Sequence, residues 1–170
     1  ISCGYNYKNS SEEDKEKLLF ILNDIFPIEE EKEYYLYILS SMMIGRTLDK
    51  FIVANGEGGN CKSVLHELIL EMLKNYGYVL SNDVLINPMK GGPNPQVANL
   101  MYKRGVITRE PDDSAGFCLS TIKELTGGSK INARLCNSND TDIRICMTLI
   151  DESNKKPFIK GRIDNSAVRR

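Results

Sequence analysis

The residue types that most directly imply chemistry stand together at Gly56-Glu57-Gly58-Gly59-Asn60-Cys61-Lys62-Ser63. The segment follows the phosphate-loop pattern G-x-x-x-x-G-K-[ST], with Cys61 where the second fixed glycine normally sits. Small residues in such a loop let successive backbone N–H groups turn inward around phosphate oxygens, and the helix that follows adds its N-terminal dipole to the same anion. Lys62 then neutralises the β- and γ-phosphates of ATP while the Ser63 hydroxyl ligates Mg²⁺. Gly56, Gly58, Gly59, Asn60 and Cys61 complete the expected ATP-binding loop. Cys61 places a β-carbon and a thiol beside the phosphates, so weaker binding, or sensitivity to thiol modification where the thiol is accessible, is expected.

Hydrolysis also requires a carboxylate at the end of a neighbouring strand, to hold the metal's water shell or orient the attacking water. Glu110 meets that requirement, because it follows the apolar run Gly105-Val106-Ile107-Thr108 and ligands in α/β sheets sit outside the carboxyl ends of strands. Asp112 and Asp113, beyond Pro111, read as loop and helix-cap residues. His66, the one histidine of the chain, has no partner acid or nucleophile near it in sequence and reads as a packed or solvent-facing helix residue rather than a catalytic one.

These side chains need a strand, a loop and a helix in that order. Phe51-Ile52-Val53-Ala54 is a short apolar run typical of a buried parallel strand, and the apolar periodicity from Lys62 to about Tyr76 predicts the helix. Upstream, Ser11-Glu12-Glu13-Asp14 has the form of a capping box, followed by Leu18, Leu19, Ile21, Leu22, Ile25 and Phe26 at near-helical spacing until Pro27. A second helix is expected from about Glu30 to Ile44, closed by Gly45. Both stripes read as packing surfaces, and Glu29-Glu30-Glu31 as a solvated first turn. Downstream come a helix-like stretch at 96–103, a strand at 105–108 and a helix from about 114 to 125. Two β-type runs follow, Lys130 to Cys136 and Asp142 to Leu149, joined by a turn at 137–140 into a hairpin. The predicted fold is α/β, a P-loop NTPase with a central, mostly parallel sheet flanked by helices. Residues 1–45 form an N-terminal helical segment and 46–170 the P-loop ATPase core.

Composition bounds the partners. With 22 Lys+Arg against 23 Asp+Glu the net charge is −1, so any nucleic-acid contact must come from a local patch. The five cysteines are widely spaced and form no C-x-x-C pair, which argues against zinc or a disulfide framework and for reduced thiols. No apolar run approaches the roughly 18 to 20 residues of a membrane span, and the first residues lack a signal-peptide layout. An intracellular protein with no membrane partner is expected. The chain begins at Ile1 and stops at Arg170 without a closing element, which reads as a fragment truncated at both ends, and at the C-terminus of the ATPase core in particular.

Several blocks taken together resemble the superfamily 3 helicases, in particular the primase-helicase type of poxviruses and giant viruses and its phage relatives. The loop Gly56 to Ser63 is similar to that family's G-x-x-G-N-G-K-S, including Asn60. Gly105 to Pro111 resembles its acidic motif ending in Glu, and Ile122 to Arg134 its K-x-L-T-G-G-D-x-I-x-A-R block, with Ser129 for Asp. Ser153-Asn154-Lys155-Lys156-Pro157 resembles the C-N-x-x-P block with Ser153 for Cys, and 164–170 the segment carrying the arginine finger. The resemblance implies an AAA+-like domain that assembles as a homo-hexameric ring, hydrolyses ATP between subunits and pulls single-stranded DNA through its pore during viral-type DNA replication. It implies Asn154 as the sensor of the γ-phosphate or water, and Arg169 or Arg170 as the group that reaches a neighbouring subunit's nucleotide. In the family the hairpin before the sensor grips the DNA backbone. Here its apparent tip has no Lys or Arg, and Lys123, Lys130, Arg134 and Arg144 flank it, readable as pore contacts or as ordinary solvated charges. The implied compartment is the host cytoplasm or the viral replication site.

Two other readings compete. One is a P-loop enzyme without translocation, such as a small-molecule kinase, which leaves the T-G-G block unexplained. The other is a decayed module in which Cys61 and Ser129 mark lost catalysis. An isolated fragment is expected to bind ATP weakly and turn it over poorly.

Overall fold

The computed structural model describes residues 1–89, 92–109, 116–128, 130–136, 141–161 and 165–168. Glu110, Asp112, Asp113, Ser129, the turn at 137–140, Arg169 and Arg170 lie outside the described residues.

Helix α1, Glu12–Ile25, starts where expected: the Ser11 side chain accepts from the Asp14 amide, and Glu12, Glu13 and Asp14 complement the dipole of the first turn. Helix α2, Glu29–Ile44, ends on Gly45, whose φ of 67° a β-carbon would disfavour. Its buried Ile38, Leu39 and Met42 face the sheet. The apolar stripe of α1 packs less than its periodicity suggests. Leu22 is buried, but Leu18, Leu19, Phe20 and Ile21 are exposed, because α1 lies against α2 rather than against the sheet.

Strand β1, Phe51–Asn55, leads into helix α3, Lys62–Leu73, which is followed, across a break at Lys74 with φ 48°, by a short 3₁₀ segment at Lys74–Tyr76. Then come β2, Gly77–Val79, α4, Asn82–Ile86, and α5, Pro95–Ala98, the last much shorter than the stretch 96–103 suggested. Strand β3, Gly105–Arg109, β4, Phe117–Cys118, and α6, Leu119–Thr126, follow. Next are β5, Lys130–Ala133, β6, Thr141–Arg144, β7, Thr148–Ser153, β8, Ile159–Lys160, and α7, Asn165–Val168.

The central sheet has the order β1-β7-β3-β2, all pairs parallel. Parallel neighbours buried on both faces call for continuous apolar runs, and Gly105 to Thr108 and Thr148 to Ser153 are buried at every position. The faces alternate along each strand: Phe51, Val106 and Leu149 look to one core, shared with α4, α5, α6 and the hairpin, while Ile52, Ile107 and Ile150 look to a second core formed with α1, α2 and α3. This is an α/β fold with helices on both faces of a parallel sheet and a β-hairpin, β5–β6, preceding the strand that leads to Asn154.

Two further expectations are corrected. The helix expected from about 114 begins only at Leu119, because Phe117 and Cys118 pair as a strand with β8. The run Asp142 to Leu149 is not a single hairpin strand. It pairs with β5 only to Arg144, turns through 145–147, and from Thr148 enters the central sheet between β1 and β3. Hairpin strand and buried parallel strand are both apolar and β-branched, so periodicity does not separate them. Among the described residues no helix is long and apolar enough to cross a membrane.

Candidate functional site

The register of β1 against β7 sets the site. Asn55 lies opposite Ser153, and the Gly56 amide donates to the Ser153 carbonyl at 3.3 Å, so the loop leaves the sheet directly beside the end of β7. Gly59, at φ 83°, and Cys61, at φ 60° and ψ 11°, turn the chain back into α3, whose first turn closes through the Leu65 amide to the Cys61 carbonyl at 3.1 Å. Lys62 Nζ donates to the carbonyls of Gly56 at 2.6 Å and Glu57 at 3.1 Å, and to the side-chain oxygens of Asn60 at 2.8 Å and Asn154 at 3.4 Å. All four acceptors are neutral oxygens, so none of them cancels the ammonium charge. A cleft of about 390 Å³ opens there, lined by Gly58, Gly59, Asn60, Cys61, Ser63 and Asn154 among others. The structure therefore brings together the loop residues and Asn154, which lie almost a hundred positions apart in sequence.

The donor set suits a triphosphate. A β-carbon added at Gly58 or Gly59 would meet nothing within 4 Å, so the loop backbone stands open, whereas one at Gly56 would collide with the Asn60 amide. A side chain at position 56 would therefore displace the Asn60 amide from its place beside Lys62. Cys61 is exposed and occupies the left-handed region that a glycine would adopt without strain.

Glu152 and its neighbours escaped sequence reasoning. Glu152 faces the α2–α3 side of the sheet; the Ser63 hydroxyl donates to its Oε1, and His66 Nδ1 lies 3.0 Å from its Oε2. His66 is fully buried, and its Nε2 meets the Tyr35 hydroxyl. The signal that could have found Glu152 was the one used for Glu110, an acid at the carboxyl end of an apolar strand. Ending the strand at Leu149 hid it. For His66 no local signal existed, since its acid partner is 86 residues away.

The environments set the charges. Burial lowers the His66 pKa, with the Glu152 carboxylate opposing and Arg109 and Lys62 reinforcing the shift. Burial alone would raise Glu152, but the hydrogen bonds from Ser63 and His66 outweigh it and hold the carboxyl below its ordinary value. Burial first, then the Glu152 charge, raises the Tyr35 phenol. Neighbouring Asp151 points to the opposite face, where Thr108 donates to it at 2.8 Å, and burial raises its pKa.

Lys123, Lys130 and Arg134 do not line this cleft. Lys123 is on α6, Lys130 is exposed on β5 directly opposite Arg144 of β6, and half-buried Arg134 follows β5, its carbonyl accepting from the Asn94 amide at 3.0 Å. The T-G-G block owes its second glycine to backbone shape: Gly128 has φ 66°, and a β-carbon there would lie 2.8 Å from the Thr47 hydroxyl.

No family model matches the chain. It is 33% identical over 181 residues to primase D5 of fowlpox virus (strain NVSL), taking in 100% of this chain and 23% of that protein. It is 31% identical over 183 residues to the uncoating factor OPG117 of vaccinia virus (strain Western Reserve), again 100% of this chain and 23% of that one. The chain thus spans about a quarter of the length of the curated relatives it matches. Among solved structures, the apo A form of the NrS-1 C-terminal region superposes with a TM-score of 0.66 at 13% identity, covering 92% of this chain and 36% of that one. The JCV helicase does so with a TM-score of 0.59 at 12% identity, covering 95% and 44%. The likeness to these two structures is one of fold.

Proposed function

We propose that this chain, homologous along its whole length to a segment of poxvirus primase D5, is the ATP-hydrolysing motor core of a superfamily 3 DNA helicase acting in viral-type replication. The observation that carries this reading is Lys62, which ties the phosphate loop to Asn154 across the β1–β7 pair.

In this reading the amides of 56–61 and the Lys62 ammonium hold the ATP phosphates, and Ser63 and Glu110 hold Mg²⁺. The metal, when bound, neutralises charge on the transferring phosphoryl oxygens. Asn154, already within reach of the Lys62 ammonium, orients the γ-phosphate or the attacking water, and Glu110 serves that water. Arg169 or Arg170 acts in trans on a neighbouring subunit's nucleotide, which requires a ring, taken here as a homo-hexamer. Single-stranded DNA runs through its pore, gripped by Lys123, Lys130 and Arg134. The compartment is the host cytoplasm or the viral replication site.

A second reading, nucleotide binding without translocation, is favoured by one observation, the left-handed conformation of Cys61 in the loop. The deciding experiment is ATP hydrolysis by the protein carrying this segment, with and without single-stranded DNA, beside its Lys62→Ala and Glu110→Gln variants. DNA-stimulated turnover that both substitutions abolish supports the motor. Turnover indifferent to DNA supports the non-translocating enzyme, and binding without turnover the decayed module.

A further inference from the structure

A polar chain, buried at its middle members, runs from half-buried Tyr35 on α2 through His66 of α3 and Glu152 of β7 to the exposed Ser63 at the phosphate loop. Its protons have one consistent arrangement. The Glu152 carboxylate can only accept, so Ser63 O–H donates to Oε1 and His66 Nδ1–H donates to Oε2. The imidazole, kept neutral by burial, then presents a bare Nε2, which accepts the Tyr35 O–H. His66 is 0% and Glu152 6% exposed, so each polar group has been taken from water and given a partner. Such a network is costly to bury and demands full satisfaction.

The geometry points to Glu152 as a second acidic residue of the Mg²⁺–ATP site, acting on the metal through Ser63, with His66 and Tyr35 as positioning residues; this rests on the nucleotide reading above. A serine hydroxyl that ligates a divalent cation does so through an oxygen lone pair and must deliver its proton elsewhere. Glu152 Oε1 already takes that proton, which turns the free lone pairs of Ser63 toward the cleft that both residues line. Withdrawing the proton into a carboxylate also makes the hydroxyl oxygen a better donor to the cation, as partners behind metal ligands generally do. Glu152 can play this part only while its second oxygen is pinned. His66 pins it from the buried side of α3, and Tyr35 fixes which imidazole nitrogen carries the proton. The chain thus extends the metal site into the N-terminal helical segment, since Tyr35 belongs to α2.

The test measures ATP affinity of this chain by titration calorimetry, in Mg²⁺ and in EDTA, for the unsubstituted protein and for Glu152→Gln and Tyr35→Phe. The diagnostic quantity is the ratio of the two dissociation constants, which a general loss of packing would not change. Glu152→Gln is expected to reduce the Mg²⁺ advantage about tenfold while leaving affinity in EDTA unchanged. Tyr35→Phe is expected to move it the same way by less. If the unsubstituted chain shows a Mg²⁺ advantage and both variants keep it, the assignment to Glu152 is overturned and the nucleotide reading stands. Equal losses in both buffers, accompanied by a lower Tm, also overturn it, making the chain of hydrogen bonds a structural brace. No ATP binding by the unsubstituted chain overturns the nucleotide reading and this inference with it. Should Glu152→Gln fail to fold, Tyr35→Phe, which deletes one oxygen and keeps the ring, decides the question alone.

Discussion

Replacing Cys61 with glycine isolates the strain stored in the phosphate loop. Cys61 sits at φ 60° and ψ 11°, immediately before the first residue of α3. The left-handed region costs an L-residue about 1–2 kcal/mol. Glycine avoids that cost but loses about 0.4–1 kcal/mol more to chain entropy on folding. The net gain from Cys61→Gly therefore lies between about 0 and 1.6 kcal/mol and centres on ~0.8 kcal/mol, roughly fourfold in an equilibrium constant. Where the loop holds this shape without ligand, the gain appears as stability; where ATP imposes the shape, it appears as affinity. Both contributions are collected by urea unfolding of the ATP-saturated protein, whose midpoint is expected to rise. Cys61→Ala separates the backbone from the thiol, because alanine keeps the β-carbon that the left-handed region disfavours, and no gain is expected from it. Cys61→Asn is expected to fall between the two, since asparagine tolerates that region better. If alanine stabilises as much as glycine, the thiol rather than the backbone is responsible and the reasoning fails.

Other expectations follow from the same geometry. Lys62→Ala removes a charged donor held on four oxygens, and a charge-assisted hydrogen bond of about 1.5–3 kcal/mol implies roughly ten- to hundredfold weaker ATP binding by calorimetry. Alkylation of the exposed Cys61 thiol should block ATP binding, bound ATP should slow the alkylation, and Cys61→Ser should bind normally after the same treatment. Gly128→Ala forces a β-carbon onto a residue at φ 66° and against Thr47, so a loss of about 1–2 kcal/mol or more is expected from chemical denaturation. Stability should also fall as pH drops below 6.5. In the unfolded chain His66 takes up a proton near that value, whereas in the folded protein burial, with Arg109 and Lys62, holds its pKa lower against the opposing Glu152 carboxylate. The unfolded state then binds more protons, so stability rises with pH through the window below 6.5. The Tm of His66→Gln between pH 7.5 and 5.5 should lose most of that slope.

What the sequence determined by itself is local. A capping serine, a terminating glycine and an apolar run ahead of a glycine-rich loop are read by neighbours within a few positions, so α1, α2, β1 and the start of α3 could be placed to within a residue or two. The spacing of Lys62 and Ser63 raised the expectation of a phosphate ligand, because that chemistry depends on adjacent backbone amides. Only the tertiary structure decided which strand stands beside the loop. The insertion of β7 between β1 and β3 is a pairing of distant segments, and it alone brings Asn154 to Lys62. It also decided that the apolar run after 141 divides between a hairpin and the core of the sheet, since both environments select the same residue types. His66 shows the limit most plainly. Its significance comes from Tyr35 on one side and Glu152 on the other, partners 31 and 86 residues away. No periodicity reports such a meeting; it exists once α2, α3 and β7 pack together and exclude water.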